Sequence, residues 1–261
     1  MNSMDIGFIK NARDSKYYTY EIKVLNETYL DEVVDFHLKI IEQLNNPELC
    51  VTITPEEFIR MMGRQGRMFG AFVENKLIAF RGILFPEDSE ENLGAIIGLQ
   101  KQELNLVAHL EVTNVHPDFR GNGLQKRMLT IAFEMLRHLK RHRHIFTIAS
   151  PLNYPSVKNV FSENMLLIDI QRMYGGRLRC IFYKDLSNSL PLDLNNLQRI
   201  AMKDIEGQKK LIDEGYAGFR FSQGSTVDTV VFAKRVDRSN KLQKPISYHR
   251  TDMEASERKN V

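Results

Sequence analysis

The run from Leu104 to Val115, LNLVAHLEVTNV, is strand-like and passes through HPDFRGNG straight into LQKRMLTIAFEMLRHLKR. In the second run Leu124, Met128, Ile131, Ala132, Met135, Leu136 and Leu139 recur at helical spacing. Lys126, Arg127, Arg137, His138 and Arg141 fall largely on the other side. A strand feeding a long one-sided helix needs neighbouring strands on its edges and a sheet under the helix, which selects helices packed on a sheet. Gly121 and Gly123 mark the turn and let the backbone approach an anion closely. Free N–H groups and the dipole at the helix start make a pyrophosphate cradle there, with Arg120 at its mouth. The same turn also reads as a plain tight link, and it is neither a Walker loop nor GxGxxG.

The flanking pattern supplies the rest of the sheet. YTYEIKVL (18–25) reads as the first strand, and Thr28 caps the next helix with Asp31 as its box partner. TPEE gives a second helix, with Thr54 as cap, Pro55 at the first position, Glu57 as partner and Gly63 as stop. MFGAFVEN and LIAFRGILF form a hairpin over Glu74-Asn75-Lys76. A polar connection, PEDSEENLGAIIGLQKQE, leads to the long strand. After the long helix come the strand HIFTIA, the turn and helix SPLNYPSVKNVFSENM, and the strands LLIDIQRM and RLRCIFYKD. Beyond them the pattern predicts a helix from roughly Asn195 to Glu214, a stop at Gly215, and two strands. The fold class is therefore α+β with a mixed central sheet flanked by helices, and a C-terminal α-β-β extension.

The 43% hydrophobic and 26% charged shares support a packed core and exclude general disorder, collagen-like structure and a disulfide scaffold. No run approaches a membrane span and the first residues hold no signal-peptide block, so a cytoplasmic location is expected. Cys50 and Cys180 stand far apart without a CxxC or a paired His, which argues against a zinc site. From Lys234 onward eight Lys/Arg face four Asp/Glu; this +4 leaves the rest of the chain at −1 within a total of +3. A basic tail on a near-neutral body is weak ground for nucleic-acid binding. The run Lys140–His144 reads as a solvated helix end.

Strand, V-x-P and then Arg120-Gly121-Asn122-Gly123-Leu124-Gln125 at a helix start resembles motif A, Q/R-x-x-G-x-G/A, of the GCN5-related N-acetyltransferase (GNAT) superfamily. Arg120 and Gly123 match its first and fourth positions, while Gln125 replaces the usual sixth-position Gly or Ala. Asn153-Tyr154-Pro155-Ser156 resembles motif B, N-x-x-A/S, which begins the following helix. The resemblance spans residues 18–186, two-thirds of the chain. It implies a GNAT domain over 15–186, an extension over 187–235 that packs on or completes it, and a flexible basic tail over 236–261. It also implies acetyl-CoA or another acyl-CoA as co-substrate, no metal, and a gap where the fourth and fifth strands splay apart to take the thioester arm. Backbone at Asn114 and Val115 would bond the pantetheine. Amides of Gly121, Asn122, Gly123, Leu124, Gln125 and Lys126, with Arg120, would hold the pyrophosphate. Asn153 and Ser156, at the next helix start, would border the other side.

Acyl transfer to an amine needs the neutral amine, and an alkyl ammonium has a pKa near ~10, so a base has to take the proton. The resemblance implies a glutamate base on the fourth strand ahead of motif A, and counting back from Arg120 lands on His109, with Glu111 two residues later. Strand alternation puts His109, Glu111, Thr113 and Val115 on one face, so both are candidate bases if that face lines the cleft; Leu110 and Val112 face a helix layer. Each also has a structural account, as a satisfied core histidine and as a binder of a cationic substrate. The carboxylate that some members place on the fifth strand is missing from IFTIA. The family's usual acid tyrosine is missing too, because Val160 and Phe161 stand there; Tyr154 and Tyr174 are the substitutes, and solvent is another proton source.

Substrate choice in such a fold rests on residues 44–54, on the hairpin from Arg172 to Arg177, and on everything past Ser187. Arg172 and Arg177 beside Tyr174 suit a carboxylate-bearing acceptor, and surface solvation explains them equally. The expected partners are an acyl-CoA and a small primary amine or amino-acid-like acceptor, with a homodimer contact open and no membrane. The alternatives are a non-catalytic acyl-CoA sensor and an enzyme acting on a protein or nucleic-acid-associated substrate, the latter suggested by RHLKRHRH and the tail.

Overall fold

The computed structural model describes residues 3–236; residues 237–261, and with them nearly all of the expected basic tail, lie outside the described residues. In chain order the elements are β1 (Asp5–Lys10), β2 (Tyr17–Leu25), α1 (Leu30–Glu42), α2 (Pro55–Met62), β3 (Gly66–Val73), β4 (Lys76–Leu84) and the short α3 (Lys101–Leu104). There follow β5 (Val107–Val115), α4 (Leu124–Leu139), β6 (His144–Ala149), α5 (Tyr154–Ser162), β7 (Leu166–Met173) and β8 (Arg177–Asp185). The last described elements are β9 (Leu192–Ala201), α6 (Ile205–Asp213), β10 (Tyr216–Ser222) and β11 (Thr229–Arg235).

All eleven of these strands join one sheet in the order β1-β2-β3-β4-β5-β6-β8-β7-β10-β11-β9. Every neighbouring pair is antiparallel except β5–β6. Strand β3 shows how the two faces are shared: Phe69, Ala71 and Val73 enter the core with the α4 residues Met128, Leu129 and Phe133. Met68 and Phe72 enter the core with Val33 and Phe36 of α1 and Phe58 and Met61 of α2. Each such large apolar side chain, fully buried, is worth about 1.5–3 kcal/mol, so the two helix layers hold the sheet between them. None of the helices described is long and apolar enough to cross a membrane.

Local signals hold where one hydrogen bond decides them. The Thr54 hydroxyl accepts from the Glu57 N–H, the Glu57 carboxylate accepts from the Thr54 N–H, and α2 stops at Gly63. Glu74 and Asn75 both take positive φ, 49° and 62°, as the tight β3–β4 hairpin requires. Helix α1 starts differently from expectation. Thr28 does not cap it: Asn26 caps a preceding 3-10 turn (Glu27–Tyr29), its side-chain oxygen accepting from the Thr28 N–H, and α1 follows at Leu30 without a side-chain cap.

Four other expectations are corrected. A strand precedes the first expected one: β1 pairs with β2 from Asp5↔Ile22 to Lys10↔Tyr17. Its Ile6 and Phe8 are exposed while Ile9 is buried, so no clean alternation advertises it. The connection after β4 is not simply polar; it contains a 3-10 segment, Leu93–Ile97, whose Leu93, Ile96 and Ile97 are buried. The expected helix over 195–214 divides into the edge strand β9 and the shorter α6, which Asp204 caps through the Gly207 N–H. The extension is thus β-α-β-β, its β10 bonds to β7, and its Met202, Ile212, Val230 and Phe232 share the core beneath α4.

The basic run at the end of α4 is only half solvated: Lys140 and Arg141 are exposed, but His142 and His144 are buried. The His142 ring stacks on Phe85 with centroids 4.0 Å apart. Burial, with Arg141 and Arg67 nearby, pushes its pKa down to about 4. Below the unfolded value of about 6.5 the unfolded chain binds a proton that the folded one refuses, so stability falls as pH drops toward 4. Urea midpoints should reveal a loss of up to about 3 kcal/mol between pH 7 and pH 4 from this group. His142→Phe, which keeps the stacked ring, should flatten that dependence; an unchanged slope would show that His142 does not carry it.

Candidate active site

The site begins with a one-residue irregularity. Arg81 of β4 faces Thr113 of β5, but Ile83 faces Leu110, so two residues of β4 span three of β5. The bulge turns the strand over. Before it, Ala108 and Leu110 point to the α4 core; after it, Val112 points to the α1–α2 core and Val115 packs on the α4 side. The expectation that His109, Glu111, Thr113 and Val115 share a face, with Leu110 and Val112 together on the other, is therefore corrected. His109 and Glu111 lie away from α4, with the His109 ring edge-on to Phe146. Thr113 and Val115 lie toward α4.

Strands β5 and β6 pair from Val107↔His144 to Leu110↔Thr147 and no farther. The Thr147 hydroxyl donates to the Leu110 carbonyl at 2.7 Å, the last link before the strands part. From Glu111 to Val115 the β6-facing edge has no strand partner. A cleft of about 640 Å³ opens there, connecting the α4 face to the face carrying Glu111.

At the α4 end the turn runs through Gly121 (φ 81°) and Gly123 (φ 75°), left-handed conformations that favour glycine. A Cβ at either position would meet nothing within 4 Å, so open space lies above the turn. Gly123 offers no side chain to cap α4, which leaves the first-turn N–H groups facing the cleft mouth. Arg120 and Lys126 border it, and Arg120 Nε donates to the Val115 carbonyl at 3.1 Å. The turn is held from outside: the Asn122 side chain accepts from the Lys10 N–H and donates to the Lys10 carbonyl. Five residues on, Arg127 makes a two-pronged pair with Asp5 at 2.9 Å for each bond. These donors and this shape fit a diphosphate.

Of the residues singled out from the sequence, His109, Glu111, Asn114, Val115, Arg120, Gly121, Gly123, Leu124, Gln125, Lys126, Asn153 and Ser156 all line the cleft. Asn122 and Tyr154 do not: the first turns its side chain to β1, and the second stands 37% exposed at the start of α5. Asn153 caps α5 by accepting from the Ser156 N–H. The Gln125 amide oxygen accepts from Asn159 Nδ2 at 3.0 Å, so the unusual motif residue ties α4 to α5 across the rim.

Two buried histidines set the opposite wall. His109 Nε2 accepts from the Leu93 N–H at 3.2 Å, which leaves the proton on Nδ1, 3.4 Å from Glu111 Oε1. His37 repeats the arrangement: Nε2 accepts from the Ile53 N–H and Nδ1–H donates to the Asn114 side chain at 2.7 Å. Burial lowers the His37 pKa, keeping that ring neutral and able to accept.

Sequence reasoning missed Arg81 and Arg179, both buried and both in the cleft wall. Arg81 is on the α4 side; its Nε has no partner, and burial pushes its pKa down to about 9. Arg179, one residue past the end of the β6–β8 ladder, stands over the Tyr174 ring at 5.7 Å. A lone arginine in an apolar strand gives no local signal of burial. Arg172 and Arg177 were named for the same wall but do not line the cleft, and Arg172 donates to its own hairpin at Gly176.

The sequence matches no protein-family model and no curated protein. The fold does have solved counterparts. An acetyltransferase of the GNAT family from Streptococcus pneumoniae superposes with a TM-score of 0.50 at 15% identity, covering 64% of this chain and 99% of that one. NAA60 of Arabidopsis thaliana, in complex with a bisubstrate analogue, gives 0.50 at 13% identity, covering 64% and 99%. With the splayed strand pair and the glycine turn at the head of α4, the chain has the fold of the GNAT acetyltransferases.

Proposed function

We propose that this protein is an acetyl-CoA-dependent N-acetyltransferase that acts on the primary amine of a small molecule. The observation that supports it is the continuity of one cleft from the amides at the start of α4, through the β5–β6 gap, to Glu111 on the opposite face. Donor and acceptor enter from opposite faces and meet in the gap.

In this reading the N–H groups of the first turn of α4 bind the diphosphate, and the β5 edge from Val112 to Val115, past the end of the β6 ladder, bonds the pantetheine amides. Glu111 takes the proton of the incoming ammonium. The amine lone pair then forms the C–N bond as the C–S bond breaks and the electron pair leaves on sulfur. A thiol has a pKa near ~8.5, so the departing thiolate takes its proton from water without a dedicated acid. That fits the placement of Tyr154 outside the cleft. His109 is a positioning residue here, because its acceptor nitrogen already serves Leu93 and its other ring nitrogen stands 3.4 Å from Glu111 Oε1.

Saturating acetyl-CoA should raise Tm by ~5 °C or more at 100-fold excess over Kd, and CoA should be released with at least one member of an amine panel. Stabilisation without CoA release from any amine would favour an acyl-CoA sensor. Absence of both stabilisation and CoA release would end the proposal.

A further inference from the structure

We infer that the acceptor is an amino carboxylate, with Glu111 receiving its amine and Arg179 its carboxylate; this rests on the acyl-transfer reading above. Arg179 is 3% exposed, and its Nη1 donates to the Leu178 carbonyl at 2.8 Å. Its Nη2 is buried without a partner, although the residue lines the cleft. An unfilled guanidinium donor inside a protein costs free energy unless a ligand supplies the acceptor.

The neighbouring charges leave room for one more anion. Glu48, on the segment opposite, is 3.9 Å from Arg179 Nη1 and 3.8 Å from Arg177 Nε. Those separations are too long for hydrogen bonds, and one carboxylate between two guanidiniums leaves a surplus of one positive charge. Tyr174, itself buried, supplies a flat wall under Arg179. A planar carboxylate suits a guanidinium fork and balances its charge, whereas an uncharged acceptor fills Nη2 but leaves the charge unbalanced.

Arg179 is also on the correct side. It lies just past the end of β6, on the sheet face that carries Ile181 and Phe146 and that His109 and Glu111 share. Cys50 connects the two walls, since its surroundings include the Asn114 side chain of β5 and both Arg177 and Arg179. The cleft thus presents an anion at β5 and a cation at β8, opposite in sign to the two ends of a zwitterion.

The test is CoA release with the common L-amino acids, β-alanine and γ-aminobutyrate, each against its carboxamide, in the wild type and in Arg179→Met and Arg179→Lys. Met has a similar length, and it removes a buried charge that has no direct hydrogen-bonding acid, so Tm should hold. The best free acid should exceed its amide by about 100-fold in kcat/KM, mostly through KM. In Arg179→Met that ratio should fall toward one, Arg179→Lys should lie between, and acetyl-CoA affinity should stay unchanged in both. Equal use of acid and amide by the wild type, or turnover only with amines lacking a carboxylate, would overturn the inference and leave the acyltransferase standing. A ratio unmoved by Arg179→Met would overturn it too. Absence of acetyl-CoA binding would instead remove the reading on which it rests.

Discussion

Gly123→Asp should weaken acetyl-CoA binding by at least ~100-fold while leaving the protein folded. Position 123 has φ 75°, and a Cβ there meets no atom within 4 Å. Left-handed backbone costs a non-glycine residue about 1–2 kcal/mol, and aspartate is among those that tolerate it best. The ligand bears the main penalty. A carboxylate at the head of α4 faces the phosphates at close range, and two like charges 4 Å apart repel by about 4 kcal/mol near a protein surface. Gly123→Ala is the control, sharing the backbone strain without the charge, and should cost only a few-fold. Titration calorimetry with acetyl-CoA distinguishes the cases; a Kd within threefold of wild type for Gly123→Asp would show that the diphosphate binds elsewhere.

Glu111→Gln should lower kcat by roughly 10²–10⁴-fold with the Kd for acetyl-CoA unchanged. The substitution keeps size and shape, and the remaining side-chain oxygen can sit beside the His109 ring as before, so the geometry of β5 is retained. Only proton acceptance is lost. The residual rate should then climb about tenfold per pH unit as free amine becomes available, up to the amine pKa near ~10. A kcat within threefold of wild type would assign the proton to water or to another group. A raised Kd for acetyl-CoA would mean that the carboxylate shapes the gap rather than acting as the base.

What the sequence revealed and what it hid have physical causes. The glycine turn was legible because its signals are local: two glycines, a helix start and a periodic apolar stripe within about 25 residues. The capping box at Thr54 and Glu57 was legible for the same reason. The faces of β5 were not, because a bulge is set by register against β4, and alternation counted along one strand carries no trace of it. Strand β9 resembled a helix since Leu194, Leu197 and Ile200 fall at helical spacing; as an edge strand it keeps Asn195, Asn196 and Gln198 in or near solvent. Arg179 lay hidden because burial of a charge is decided by loops and strands distant in sequence, here residues 48–50 and the end of β6.

Strand β1 also bears on how the glycine turn takes its final shape. Its bonds to the turn and to α4 join residues 112 and 122 positions apart, Lys10 with Asn122 and Asp5 with Arg127. Contacts at such separation incur a large loop-closure entropy and follow the local pairs during folding. The glycine turn can therefore form early as a shape, yet it is clamped in its binding geometry only after the first strand has returned across the sheet. The final geometry of the turn is a late product of folding, although its motif is the most local feature in the chain.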